Sequence, residues 1–248
     1  MTTQPKQTNK SPLLLREGKG VGLFRRACTD YRLLEDGDRI LIGVSGGKDS
    51  LLLCKLLAER QKIHRPAIRV EAAHVVMDGI PYQTDLEWLR GYCAELGLPL
   101  HVLHAQFPTE QGKEQTPCRR CALTRRRTLF AFAAEHDFNK VALGHHQDDI
   151  LVTLLLNLTY EGSASTMRPS MPMEHYPITI IRPLCLCREE WIAAEAQALA
   201  FPAQLQRCPY ETTTRRTDME ALFHQLEALN PEARHSLWHA AMKEQGTD

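Results

Sequence analysis

No apolar run in this chain approaches the roughly 20 residues that a membrane-spanning helix needs, so no membrane partner is expected. Residues 1–11 are polar and hold no apolar core of the export-signal kind, and a cytoplasmic location is the expectation. Neither charge is in excess. Thirty Lys and Arg balance 30 Asp and Glu over 248 residues, so nucleic-acid binding cannot be argued from global charge and must come from local basic patches. A Walker loop is missing, because no Gly-Lys pair follows an earlier glycine at the required four-residue gap, and a dinucleotide Gly fingerprint is missing too. A second C-x-x-C is also lacking, which excludes a four-thiolate zinc site built from paired motifs.

What is present is an alternation of strand and helix patterns. Apolar content is 43% and charged content 24%, both ordinary for a globular chain. Strands are expected at 40–44, 68–77, 99–103, 140–143 and 178–184. Helices are expected at 48–63, 82–96, 118–138, 150–160 and 188–199. The proline- and methionine-containing stretch 162–176 reads as an irregular loop. The spacing predicts an α/β fold: a doubly wound, parallel, five-stranded sheet with helices on both faces and extra N- and C-terminal helices. Residues 1–12 are expected to be disordered, 13–205 to form the main domain with an N-terminal helical segment, and 206–248 to form a C-terminal helical segment with helices at 212–229 and 231–243.

Ligands of such sheets sit beyond the carboxyl ends of the strands. The loops 45–50, 78–79 and 144–149 fall there. The first is Ser45-Gly46-Gly47-Lys48-Asp49-Ser50, between an apolar strand and a helix. Its glycines let the backbone approach an oxyanion, and the free N–H groups of the helix start point at it. Lys48 adds a charge, Ser45 and Ser50 add hydroxyls, and Asp49 can hold a divalent ion. The loop reads as a nucleotide phosphate cradle. The third is Gly144-His145-His146-Gln147-Asp148-Asp149. Its carboxylates suit a helix start by themselves, and they also suit a divalent ion or an activated phosphate.

Eight cysteines are present. In a chain of this length without an export signal, clustered cysteines point to metal binding or catalysis. Cys118 and Cys121 lie at i and i+3 on one helical face and can share one metal centre. The pair alone fits a redox dithiol, a zinc half-site or part of an iron–sulfur site. Cys208 has no apolar pattern around it; with Cys118 and Cys121 it would leave one corner of a cluster open for a ligand. Arg119, Arg120, Arg125, Arg126 and Arg127 cluster on the same helix. They read either as a solvated face or as phosphate contacts for RNA. Arg125 is expected near the thiols, and it joins Lys48, Asp49 and Asp149 as a candidate catalytic residue.

Ser-Gly-Gly-Lys-Asp-Ser resembles the PP-loop of the ATP pyrophosphatases, which cleave ATP between the α- and β-phosphates. This loop, followed by C-x-x-C before an arginine-rich helix and by Gly-His-His-x-Asp-Asp, resembles the TtcA-type tRNA 2-thiocytidine synthetases within the TtcA/TtuA group. The likeness runs from about Phe24 to Cys208 and includes residues 181–184 and 187–189. It implies an ATP-dependent tRNA thiolase that uses ATP, Mg2+ and a 4Fe–4S cluster, acts on tRNA, draws on a cysteine desulfurase or other sulfide source, and works as a homodimer. ATP would sit on Ser45, Gly46, Gly47, Lys48, Asp49 and Ser50, with Met77 and Asp78 at the adenine end and Gly144 and Asp148 beside the phosphates. The cluster would use Cys118, Cys121 and Cys208. Family members carry P-C-x-x-C near the last of these, where this chain has one cysteine. The competing readings are a PP-loop ligase with a nitrogen nucleophile and a metal-stapled RNA-binding module without catalysis.

Overall fold

β1 (Arg39–Gly43) lies inside the sheet because it is apolar on both faces. In this computed structural model, which describes residues 19–80, 84–107, 117–202 and 215–244, Ile40 and Ile42 are fully buried on one face and Leu41 on the other. That pattern is typical of strands covered on both sides. Parallel partners flank it: β2 (Arg69–Asp78) on one side and β4 (Lys140–Ala142) on the other, with Ile40 level with both Val70 and Lys140. β3 (Leu100–Gln106) lies outside β2, and β6 (Thr179–Ile181) outside β4. The order is β3-β2-β1-β4-β6-β5. The chain therefore winds outward from β1 in one direction and then restarts at β4 in the other. The crevice between the carboxyl ends of β1 and β4 is the switch point, where such folds hold ligands.

The sheet has six strands rather than the expected five. β5 (Ser170–Pro172) lies inside the stretch read as an irregular loop and pairs antiparallel with β6 at the sheet edge. Three residues are too few for alternation to register, and the proline is tolerated because the strand is an edge strand. β6 is also shorter than its apolar run suggested. The backbone leaves the ladder after Ile181, and the Cys185 N–H donates to the Arg182 carbonyl in a turn.

One face is covered by α2 (Lys48–Gln61), with α1 (Lys19–Asp30), α3 (Leu86–Glu95) and α6 (Glu189–Ala198) around it. Leu51, Leu52, Leu53, Leu56 and Leu57 of α2 are all fully buried. α3 begins later than its pattern suggested, because Asp85 accepts a hydrogen bond from the Trp88 N–H (2.9 Å) and so caps the first turn. The other face is covered by α4 (Pro117–Glu135), whose Leu129, Phe130 and Ala133 meet Leu41, Val75 and Ile180. α5 (Gln147–Tyr160) carries two further apolar clusters, one with α7 (Arg215–Leu229) and one with α8 (Ala233–Glu244). The Glu232 N–H donates to Asn230 Oδ1 (3.0 Å) ahead of α8, as expected of a cap at that asparagine. Among the described residues no helix is long and apolar enough to cross a membrane. The expectations for residues 1–12 and for Cys208 lie outside the described residues.

The end of the sheet away from the switch point is tied by a buried polar knot. Lys140 Nζ donates to Asp38 (2.8 Å), Glu35 (2.9 Å) and the Leu33 carbonyl (3.2 Å), while Asn139 bonds both the Arg39 N–H and Asp38. The knot fixes the register of β1 on β4, and with it the relative height of the two loops at the opposite end. Removing one partner of a buried ion pair strands the other charge. Asp38→Asn is therefore expected to cost about 3 kcal/mol of stability, read as a lower urea midpoint at unchanged m-value; a loss under about 0.5 kcal/mol, the range of an ordinary surface substitution, would contradict the role given to the knot.

Candidate functional site at the sheet switch point

The loop after β1 is organised before any ligand arrives. The Ser45 N–H donates to Ser50 Oγ (3.1 Å), the Gly47 N–H to Ser45 Oγ (3.2 Å), and Ser50 Oγ donates to the Gly47 carbonyl (2.9 Å). Gly46 has φ +87°, a conformation that favours glycine, and a Cβ there would stand 2.9 Å from the Thr84 methyl. The two serines thus hold the loop in shape while the start of α2 faces the crevice. Gly144, at the end of β4, is needed for a different reason. A Cβ on it would lie 3.1 Å from the Asp49 carbonyl carbon and the Ser50 nitrogen. Its absence lets α5 begin directly beside α2, so two helix N-termini share one crevice.

A cleft of about 290 Å³ opens there, lined by Lys48, Asp49, His146, Asp148, Asp149 and Glu189, and by Arg216, Glu220, Phe223 and His224 of α7. Its charges are interlocked. Lys48 Nζ bonds Glu189 (2.9 Å) and Asp49 (3.1 Å); His146 Nε2 lies 3.0 Å from Glu189 and 3.4 Å from Asp149. Asp149 accepts from the His146 N–H (3.0 Å) and from Arg216. Asp148 accepts from Arg234 (2.7 Å) and from the Glu189 N–H (3.0 Å).

The environment separates the two neighbouring histidines. Burial would lower the pKa of His146, but its bonds to Asp148 and Glu189 and the charges of Asp149 and Asp49 raise it to about 10, so the ring is a cation at neutral pH. His145 is pushed down to about 4, first by burial and then by the Arg182 guanidinium, and stays neutral. Hydrogen bonds from His146 and then Lys48 hold Glu189 down at about 2. Burial raises the Asp49 carboxyl despite Lys48 and His146 beside it.

A second hollow of about 240 Å³ lies across the loop, at the carboxyl end of β2. His74, Val75, Val76, Met77, Thr84, Leu86 and Arg125 line it. Met77 is where the adenine end was expected. Asp78 is not among the lining residues: its carboxylate meets His104 (3.2 Å) and Gln106 (3.3 Å) on β3. Arg125 stands in this hollow rather than in the phosphate cleft. It lies one helical turn beyond Cys121 on α4. Cys118 is exposed and Cys121 half-buried.

The structure thus brings Lys48, Asp49, Asp148 and Asp149 together, and it places Met77 and Arg125 on the adjoining side of the loop. Glu189, His146 and Arg216 complete the cleft and Arg234 holds Asp148 beside it; none of the four is singled out from sequence as a catalytic, nucleotide-binding or metal-binding residue. His146 and Glu189 had a signal, since each lies within a motif. Arg216 had the weaker signal of an arginine pair that can extend the basic patch, and Arg234 had none, because both sit on helices far along the chain. Oxygen atoms of Asp49 and Glu189 and a His146 nitrogen lie within 4.8 Å of one another; with the His146 ring protonated, the two carboxylates are the donors available to a cation. Asp149, expected to share that role, has one oxygen committed to Arg216 and the other to backbone.

A PP-loop domain model matches residues 24–202. Among characterised proteins, the chain is 35% identical over 245 residues to the tRNA-cytidine(32) 2-sulfurtransferase of Pelobacter propionicus, covering 96% of this chain and 88% of that protein. It is 37% identical over 223 residues to the protein of the same name from Syntrophotalea carbinolica, covering 87% and 85%. Among solved structures, its fold resembles the U34-tRNA thiolase NcsA from Methanococcus maripaludis with its 4Fe–4S cluster, with a TM-score of 0.72, 20% identity, and coverage of 90% and 78%.

Two outcomes are expected. Gly144→Ala should separate β4 from the start of α2 and cost about 1–3 kcal/mol, with a larger fractional loss of nucleotide binding; unchanged melting and binding would refute the close-approach role. In an imidazole NMR titration of metal-free protein, His145 should titrate near 4 and His146 near 10. By linkage, the His146 pairing stabilises fully below the unfolded value of 6.5 and is lost as pH rises through 10. The neutral His145 stabilises above 6.5, and that contribution is lost as pH falls through 4. Two rings both titrating near 6.5 would contradict the geometry.

Proposed function

Because this chain belongs to the PP-loop family, and within it to the tRNA-cytidine 2-sulfurtransferases, we propose that it uses ATP to activate the C2 carbonyl of a cytidine in tRNA and replaces that oxygen with sulfur. The observation that carries the reading is the path of α4. Its first turn bears two cysteines, Cys118 and Cys121, and one turn later Arg125 lines the hollow beside Met77. Thiol chemistry and nucleotide thereby meet at one edge of the sheet.

The reaction balances without an oxidant. The base carbonyl oxygen attacks the α-phosphorus of ATP, and pyrophosphate leaves. Hydrosulfide then adds at C2, and AMP departs with the original oxygen. The chain's residues have separable tasks. Met77, Val75 and Leu86 offer the adenine an apolar seat. The first N–H groups of α2, from Lys48 on, face the phosphates, where the helix dipole favours negative charge. Lys48 neutralises the charge that builds on the departing pyrophosphate. Asp148 acts through position: it anchors the first residue of α6, Glu189, and so aims Glu189 at Lys48.

Mg2+ fits the oxygen donors of Asp49 and Glu189, and when bound it would neutralise phosphate charge. Cys118 and Cys121 fit two corners of a 4Fe–4S cluster, being thiols at i and i+3 on one helical face with Cys118 exposed. Among the described residues no third Cys, His, Asp or Glu joins them, and Cys208 is proposed for that corner. When bound, the cluster would supply a site for sulfide. A cysteine desulfurase or other sulfide source, a homodimeric state and a cytoplasmic location belong to the same proposal. The arginine-rich face of α4, which carries Arg119, Arg120, Arg126 and Arg127 beside the two cysteines, is the surface proposed for tRNA.

Two variants test the division of labour. Losing one close charge at an effective dielectric near 20 removes about 4 kcal/mol gross, so Lys48→Ala should slow AMP formation about 100-fold or more while ATP still binds. Cys118→Ala should keep tRNA-dependent AMP formation and lose 2-thiocytidine, measured by mass spectrometry of digested tRNA. A Cys118→Ala protein that still thiolates would overturn the role given to the thiols, and a wild-type protein that forms AMP without 2-thiocytidine would favour nitrogen-ligase chemistry.

A further inference from the structure

Arg216 stands in the phosphate cleft, and the reaction above gives it no task. It is the second residue of α7 and lines the cleft with Lys48 and Asp49. Its guanidinium bonds Asp149, and its Nε bonds Glu220 (3.1 Å) within its own helix. The other arginine at this end, Arg234, is built in. It is buried, stacks over Phe223, and makes bonds to Asp148 (2.7 Å), Glu227 (2.7 Å) and Gln147 (3.2 Å). Arg216 is 38% exposed. Asp149 does not need it to stay in place, because its second oxygen is held by the His146 N–H.

The cleft's cations each face a carboxylate. A polyanion entering it meets Asp49, Asp149, Glu189 and Glu220; a metal ion can relieve the repulsion at Asp49 and Glu189, and at Asp149 and Glu220 a cation that changes partner does so. Arg216 is placed to do so. Its planar fork suits phosphate oxygens bidentately, and α7 is anchored on α5 by Met219 and Phe223, four and eight residues from its start. The adenosine hollow lies on the other side of the loop, so the pyrophosphate end of the nucleotide is the part that reaches α7.

We propose that Arg216 leaves Asp149 for the β- and γ-phosphates of ATP, a catalytic cation supplied by the C-terminal helices that makes the site select triphosphate over monophosphate. The exchange returns a free carboxylate oxygen to Asp149. This inference deepens the ATP-dependent reading and rests on it.

The test is the affinity of the full-length protein for Mg-ATP, for pyrophosphate and for AMP, by titration calorimetry, in wild type, Arg216→Ala and Arg216→Lys, with melting curves for each. Losing a charge-assisted bidentate contact is worth about 10- to 100-fold. Arg216→Ala should therefore bind Mg-ATP and pyrophosphate about 10- to 100-fold more weakly and AMP within about twofold of wild type, with Arg216→Lys between them. Equal losses for ATP and AMP, or no loss for ATP, would overturn the proposal and leave the ATP reading standing. A wild-type protein that binds AMP as tightly as ATP, or binds neither, would overturn both. A lowered melting temperature with unchanged ATP affinity would assign Arg216 to packing alone and also overturn the proposal.

Discussion

The close approach of Gly144 to the first turn of α2 is the contact on which the site depends. With no Cβ at that position, the end of β4 rests against the Asp49–Ser50 peptide, and α5 starts where α2 starts. Two positive helix ends and five carboxylates then occupy one crevice. The far end of the sheet sets the same relation independently: the Lys140–Asp38 knot fixes how β1 and β4 align, and hence how the two loops meet. Register at one end and a missing methyl at the other together decide the geometry of the phosphate cleft.

Charge in that cleft is balanced rather than open. Lys48 leans on Glu189, His146 is held as a cation among carboxylates, and the C-terminal arginines close Asp148 and Asp149 from outside. Such a network keeps the site ordered and moderates its charge in a chain with no net charge of its own. A triphosphate with its metal ion can exchange into it pair by pair, which costs less than entering a site already crowded with uncompensated carboxylates. The hollow beside Met77 is lined mainly by apolar side chains, consistent with a base-sized ligand that binds through area and shape.

Much of this was legible in the sequence. The two loops announce themselves because glycines, a lysine and paired carboxylates sit where an apolar strand turns into a helix, and the topology then forces them together. Helix alternation gave the layer order for the same reason. What stayed hidden has physical causes. β5 is three residues long on an edge, too short for a period. Glu189 looks like an ordinary first-turn carboxylate of α6 until the fold brings Lys48 within 2.9 Å of it. Arg216 and Arg234 belong to amphipathic helices whose sequence is silent about which loop they face. Asp78 looked like a ligand residue because it ends a strand at the right edge; the neighbouring strand takes its carboxylate instead.

The measurement that tests the central claim most directly is single-turnover chemistry with isotopically labelled sulfide. Anaerobically purified protein, unmodified tRNA, Mg-ATP and 34S-sulfide should yield 34S-labelled 2-thiocytidine, with one AMP and one pyrophosphate formed per sulfur inserted. AMP formation without labelled nucleoside, or a labelled nucleoside formed with no ATP present, would contradict a thiolase whose carbonyl activation and sulfur entry share the edge where α2, α4 and α5 begin.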